Sequence, residues 1–297
     1  MTKTYEKTEL IPNERKNREA VSSSKSRQEV AVITGASSGF GLSTLRLLAK
    51  EGYKVYGTSR HPNKANWDYT ENSELLELDV NSDQSVDAFV VEVLKRSGGR
   101  IDVLVNNAGY VGIGALEEMS IDEAKMQFET NLFGVMRMVN AVLPVMRGQK
   151  SGHIVNLGSI VGRIPVPFSG LYSASKFALE GYTEQLRLET KNLGIKVSVV
   201  EPGYFRTNLL NASKFASKNI DAYKEVRRRA NAVLQKREEN GEDPILVART
   251  ILKIIKSDKP ALRHPVGKDK SALRYMRIFP QSSFEKQIGR IFDLNMR

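Results

Sequence analysis

Short apolar runs alternate with helix-spaced segments along residues 29–267. EVAVIT (29–34), YKVYGTS (53–59), LLELDV (75–80), IDVLVNNAG (101–109), GHIVNLGS (152–159), IKVSVVEPG (195–203) and ALRHPVG (261–267) read as strands. Between them, GLSTLRLLAKEG, SVDAFVVEVLKRSGG, SIDEAKMQFETNLFGVMRMVNAVLPVMR and LYSASKFALEGY carry apolar residues at helical spacing. Start signals support these helices: Ser82 or Asp83 before one, Ser120 with Glu123 as a capping box at another, and Asp243–Pro244 as N-cap and first-turn proline before PILVARTILKIIK. Continuous apolar strands alternating with helices predict an α/β fold. Its doubly wound parallel sheet has about seven strands, with helices on both faces. No linker or repeat interrupts 29–267, which reads as one domain. Residues 204–240 are helical, polar and weakly patterned, and break the alternation after the sixth strand as a flap over the substrate. Residues 1–28 read as a flexible polar extension, and 268–297 as a basic C-terminal extension.

The chain has 297 residues, 40% of them hydrophobic, enough for a sizeable core. Its formal charge is +11, and from Lys214 onward 20 Lys/Arg face 10 Asp/Glu. That excess suits a solvated basic face, attraction of an anionic cofactor, or peripheral contact with an anionic membrane. Nucleic acid is not expected, since no recognition motif is present and aromatics are not interleaved with the basic clusters. The absence of cysteine excludes disulfides, thiolate metal sites and cysteine nucleophiles. His61, His153 and His264 are scattered without ligand spacing, so no metal site is expected. With no apolar signal core at the N-terminus and no membrane-length apolar run, a cytoplasmic location is expected.

The first strand runs into TGASSGFG, which places Gly35, Ser37, Ser38, Gly39, Phe40 and Gly41 at a strand-to-helix turn. Glycines there permit unusual φ values and close approach of a pyrophosphate, which rests on the next helix N-terminus. The second strand ends in Thr58, Ser59 and Arg60 with no acid, where an acid would bind a ribose 2′-hydroxyl. Two hydroxyls and a cation suit a phosphate monoester, so NADP(H) is expected over NAD(H). Asp79, with Val80 beside it, ends the third strand. Its carboxylate suits either the adenine amino group or a local turn.

TGASSGFG, NNAG (106–109), Ser159 and Tyr172-x-x-x-Lys176 occur in this order, and with them residues 29–267 resemble a single-domain short-chain dehydrogenase/reductase. Phe40 stands where Ile is usual in that family. The resemblance implies a Rossmann-type fold and hydride transfer between a nicotinamide and a CH–OH/C=O pair. It makes Tyr172 the general acid/base and Lys176 its activator and a ligand of the nicotinamide ribose. Ser159 would hold the substrate oxygen, and Asn131 would anchor a water that relays protons to Lys176. Asn107, Ala108 and Gly109 would line the adenosine side, and Pro202, Gly203 and Thr207 the carboxamide. A cation at i+4 lowers a nearby phenol's pKa by roughly 1–3 units, so Lys176 is expected to bring Tyr172 toward neutral pH. The family commonly associates through the Tyr172 helix, which implies a homo-oligomer, a dimer or tetramer.

Apolar residues near the reactive centre in sequence include Val111, Ile113, Ile160, Val166, Pro167, Phe168, Tyr204 and Phe205. With no arginine clamp among them, the expected substrate is a small hydrophobic alcohol or ketone. Ile160, Phe168 and Tyr204 are the candidate contacts beside Ser159. VGRIPVPFSGLYSASKFALEGYTEQLRLE and PGYFRTNLL resemble the hydroxysteroid- and retinol-dehydrogenase-like members. A second reading keeps the cofactor site but makes the chain a non-catalytic NADP(H) sensor or scaffold.

Overall fold

In the computed structural model, residues 27–64, 70–207, 209, 213–278 and 280–294 are described. Strands β1 (Val30–Ile33), β2 (Lys54–Ser59), β3 (Ser73–Glu77) and β4 (Val103–Asn106) alternate with helices α1 (Gly39–Lys50) and α2 (Asp83–Ser97). A short β5 (Gly112–Ile113) precedes α3 (Ile121–Phe128) and α4 (Gly134–Gln149). Then come β6 (Gly152–Leu157), α5 (Gly170–Thr190), β7 (Ile195–Pro202), β8 (Lys214–Phe215), α6 (Lys224–Glu239) and α7 (Ile245–Ile255). Strand β9 (Arg263–Val266) and helices α8 (Ser271–Ile278) and α9 (Gln281–Ile291) close the described chain.

The main sheet is parallel, in the order β3-β2-β1-β4-β6-β7-β9. Strand order reverses between β1 and β4, which opens a crevice at their C-terminal ends, the usual ligand position in such sheets. Successive strand residues point to opposite faces. Val30 and Val32 join one core with Phe89 and Val93 of α2, Met138 and Val142 of α4, and Leu179 of α5. Ala31 and Ile33 join the other with Leu45 and Leu48 of α1 and Val247 and Ile251 of α7. The central strands β1, β4, β6 and β7 are thus covered on both sides, which is why their sequences read as apolar runs rather than alternations.

Three elements depart from the sequence pattern. The third strand ends at Glu77, short of residue 80, because Asp79 turns the chain: its Oδ1 accepts from Asn81 N (3.0 Å), and its own N donates to Ser85 Oγ (3.0 Å). The long helix expected after Ser120 is interrupted by a π-helical turn, Glu129–Phe133. The basic C-terminal extension is folded onto the domain. Leu273, Phe284 and Phe292 are buried against Ile160, Val161, Ile164 and Val166 and against Ala230 and Leu234 of α6. The high Lys/Arg count of this segment had masked an amphipathic pattern. The N-terminal extension falls, up to residue 26, outside the described residues.

The flap is stitched down at both ends. Strand β8 pairs with β5, and Lys214 N donates to Val111 O (2.9 Å). Buried Glu118 accepts from Ile220 N (2.8 Å) and Ala115 N (3.1 Å) and is ion-paired to Arg227 of α6. At the other end Arg237 bonds Asp269 (2.9 Å), Asp269 accepts from Tyr204 N (3.2 Å), and the Arg237 guanidinium lies 5.1 Å from the Tyr204 ring centre.

Candidate active site

The turn after β1 is built to approach something closely. Gly35 and Gly39 have φ of +65° and +54°, the left-handed region that glycine favours. A Cβ on Gly35 would lie 2.9 Å from Ala108 Cα, and one on Gly41 would lie 2.6 Å from Asn107 Nδ2 and 2.9 Å from Ala36 Cα. Asn107 holds the turn by donating its amide to Thr34 O (3.0 Å) and Gly35 O (2.8 Å), while Thr34 Oγ1 accepts from the N–H of Asn107 and Ala108 (3.0 Å each). Ser38 caps α1 without a side-chain cap bond, so the first helical N–H groups stay directed at the crevice.

A cleft of ≈ 450 Å³ runs from this turn along the crevice. Gly35, Ser37, Ser38, Gly39 and Phe40 line it at the turn, and Ser59, Arg60, Asp79 and Val80 at one end. Asn107, Ala108, Gly109, Pro202, Thr207, Tyr172 and Lys176 line the remainder. Gly41 and Gly203 are not among its lining residues. Gly41 packs α1 against the turn, and Gly203 sits against Asp269. His61, Tyr110 and Lys214 also line it, though motif spacing had not singled them out. Lys214 arrives on the flap, its ammonium 4.8 Å from the Tyr110 ring centre, a placement set by β5–β8 pairing and invisible in sequence order. An open helix N-terminus, a turn in which Gly35 and Gly41 leave no room for a Cβ, and Arg60 beside two hydroxyls make this cleft fit for a dinucleotide.

A second, apolar cavity of ≈ 90 Å³ adjoins it. Ser159, Ile160, Val166, Tyr172, Tyr204 and Phe205 line it, together with Leu234 from α6. Phe168 does not line this cavity. It packs against the apolar cluster beneath, with a left-handed φ of +60°. Leu234 was missed because a flap helix folds back over the site from 62 residues beyond Tyr172.

Tyr172 and Lys176 lie one turn apart on α5, both facing inward. Burial pushes the Tyr172 phenol up to about 12, partly opposed by hydrogen bonding with Ser159. Burial pulls Lys176 down to about 8, opposed by the Glu180 charge. The expectation that the Tyr172 phenol is brought toward neutral pH is not met, because burial raises it. The Lys176 ammonium donates to Leu157 O (2.6 Å) and stands 5.7 Å from the Tyr172 ring centre. Ser159 also donates to Pro202 O (3.4 Å), which ties the ends of β6 and β7.

Asn131 is fully buried in the π-helical turn. Its Oδ1 accepts from Tyr110 N (3.1 Å), and its Nδ2 donates to Tyr110 O and Ser175 Oγ (3.1 Å each). The side chain thus braces the loop after β4 against α5. It meets Lys176 only across Gly109, where a Cβ would lie 3.1 Å from Asn131 Oδ1 and 3.9 Å from Lys176 Nζ. A mid-helix asparagine is locally unfavourable, and the broken helix is where that cost is met.

The fold, with Ser159, Tyr172 and Lys176 gathered between a polar cleft and an apolar cavity, defines a class: the Rossmann-type oxidoreductases. Within that class the chain belongs to the short chain dehydrogenase family, whose profile matches residues 29–218. It is 42% identical to 3-ketodihydrosphingosine reductase of Bacteroides thetaiotaomicron, over 80% of this chain and 88% of that protein. It is 37% identical to retinol dehydrogenase 8 of Bos taurus, over 78% of this chain and 79% of that one. Among solved structures, a short-chain dehydrogenase from Streptomyces avermitilis superposes with a TM-score of 0.77 at 35% identity, covering 90% of this chain and 97% of that one. ElxO, solved with NADP bound, gives 0.68 at 26% identity, covering 82% and 99%.

Proposed function

We propose that the protein is an NADP(H)-dependent oxidoreductase that interconverts a hydrophobic ketone and alcohol, with Tyr172 as general acid in the reducing direction. One observation carries the reading: among the described residues lining both the polar cleft and the apolar cavity, Tyr172 is the one with a titratable proton. When bound, a reduced nicotinamide supplies the hydride. Ser159 holds the carbonyl oxygen by hydrogen bonding and keeps it against the Tyr172 hydroxyl. A phenol pushed up to about 12 is protonated at neutral pH, the state a carbonyl reductase needs. Lys176, with a pKa of about 8, stays mostly cationic there and stabilises the negative charge left on Tyr172 as its proton leaves.

Ser59, Arg60 and His61 at the end of β2 support a 2′-phosphate and hence NADP(H). The apolar cavity supports a substrate with a hydrocarbon body, in keeping with the reductase and dehydrogenase relatives whose names specify lipid ketones or alcohols. The complete reactive set disfavours a non-catalytic sensor. Exposed Phe177 and Leu188 on α5 support pairing of two copies along that helix, which light scattering of Phe177→Glu would test. The direct test of function is a screen of long-chain ketones and alcohols with NADPH and NADH. NADPH-dependent turnover of an apolar ketone is expected. NADPH binding without turnover across the panel would overturn the reading.

A further inference from the structure

Behind the reactive residues lies a buried set of charges that no step above uses. Glu180 sits on α5 one turn beyond Lys176, and Glu201 is the β7 residue before Pro202; they are 5% and 0% exposed. Arg163 Nη1 reaches Glu201 Oε1 at 3.3 Å. Arg263 of β9 reaches Glu180 Oε2 at 3.0 Å, Glu201 Oε1 at 4.0 Å and, through its other branch, Glu184 Oε2 at 3.0 Å. Three carboxylates therefore face two guanidinium groups. Glu180 Oε1 and Glu201 Oε2 are buried without a hydrogen-bond partner, which for two acceptors is expensive unless the carboxyls carry a proton.

The position of this cluster gives it a task. A Cβ on Gly158 would lie 3.0 Å from Glu180 Oε1, so the Glu180 carboxyl rests directly on the backbone of Gly158. On one side of Gly158 is Leu157, whose carbonyl seats Lys176. On the other is Ser159, bonded to Pro202 O next to Glu201. The same acids thus support, from behind, the seats of both Lys176 and Ser159.

We propose that Glu180 and Glu201, clamped by Arg163 and Arg263, are positioning residues for the reaction, a proton-sharing carboxyl pair that seats Lys176 and Ser159 and couples its own charge to Lys176. This rests on the oxidoreductase reading of the same site. Burial, then the Glu201 charge, pushes Glu180 up to about 7, and burial raises Glu201 as well. The groups facing Glu180 are Lys176 and Glu184 on its own helix, Arg163 after Ser159, Glu201 on β7 and Arg263 on β9. As Glu180 loses its proton, its charge holds Lys176 cationic to higher pH, which extends the alkaline limb of activity.

The test compares pH profiles of kcat/KM for the wild type, Glu180→Gln and Glu201→Gln, with thermal melts and NADPH titrations alongside. Glutamine keeps the shape and donates a hydrogen bond as the protonated acid would, but cannot ionise. Glu180→Gln is expected to fold, bind NADPH within twofold of wild type, and move the alkaline limb down by roughly 1 unit, the size of a nearby charge effect. A bracing role alone would lower the melting temperature without moving that limb. A Glu180→Gln profile that superimposes on wild type would overturn the proposal. Infrared difference spectra give a readout independent of turnover: a protonated-carboxyl band at pH 6 that vanishes in Glu180→Gln supports the shared proton, and no such band in the wild type contradicts it. If no substrate turns over, the functional reading fails, while the band still decides the pair.

Discussion

Replacing Gly41 by alanine adds one methyl group at the most crowded point of the nucleotide turn. That methyl would meet Gly35 O at the shortest distance, Asn107 Nδ2 at 2.6 Å and Ala36 Cα at 2.9 Å. Ordinary carbon contacts are about 3.5–4.0 Å. The first turn of α1 must therefore move by roughly 1 Å, or Asn107 must abandon Thr34 O and Gly35 O. Overpacking of this kind costs about 1–3 kcal/mol, against a helix-propensity gain of about 1 kcal/mol for Gly→Ala, so a net loss of up to about 2 kcal/mol lowers the melting temperature by up to about 4–8 °C. Phosphate binding suffers more. Each hydrogen bond to a charged group is worth about 1.5–3 kcal/mol, and losing one weakens NADPH by at least tenfold. Gly148 on α4 is the control: a Cβ there meets nothing within 4 Å, so Gly148→Ala should stabilise by up to about 1 kcal/mol, a gain of about 2–4 °C. The assay is NADPH titration by fluorescence, paired with thermal melts. An NADPH Kd for Gly41→Ala within twofold of wild type would refute the reasoning.

Arg60→Ala should raise the NADPH Kd tenfold or more and leave the NADH Kd within twofold; equal losses for both cofactors would remove the case for a 2′-phosphate contact. Burial raises Glu118, but Arg227 and the Ile220 and Ala115 amides outweigh it and hold its carboxyl below the usual range. Its folded pKa being depressed, Glu118 stabilises the flap above the ordinary carboxylate pKa and loses that effect as pH falls below about 4.5. Limited proteolysis within 213–240 should therefore speed up in acid, and Glu118→Gln should show the fast rate already at pH 7. Phe284→Ala removes a side chain 2% exposed between α9 and the substrate-side cluster. The cost of about 3–5 kcal/mol falls on docking of the C-terminal helices, so substrate KM and C-terminal proteolysis should rise while the main melt barely shifts.

The sheet and the nucleotide turn were legible because their signals are local. Apolar runs such as VAVI between turn residues mark strands, and TGASSGFG lies at one strand-to-helix junction. The inward pair Tyr172 and Lys176 was equally plain, being fixed by helix periodicity. What escaped was set by long-range packing. Phe168 looks like a cavity residue by proximity to Tyr172, yet it packs against the cluster that walls the cavity without lining the cavity itself. Leu234 and Lys214 reach the site, and α8 and α9 reach the apolar cluster behind it, through chain reversals that no spacing encodes. The sign of the Tyr172 shift also escaped, because a helix position reports a neighbouring charge but not the depth of burial that raises the phenol.

The most direct test of the central claim is single-turnover reduction of an apolar ketone by NADPH-loaded wild type and Tyr172→Phe. The substitution removes the phenolic proton and leaves the ring, the cleft and Lys176 in place. An unchanged NADPH Kd with a loss of at least about a hundredfold in the reduction rate is predicted, in the range general acid catalysis supplies. A Tyr172→Phe enzyme that binds NADPH normally and reduces the ketone within tenfold of wild type would contradict it.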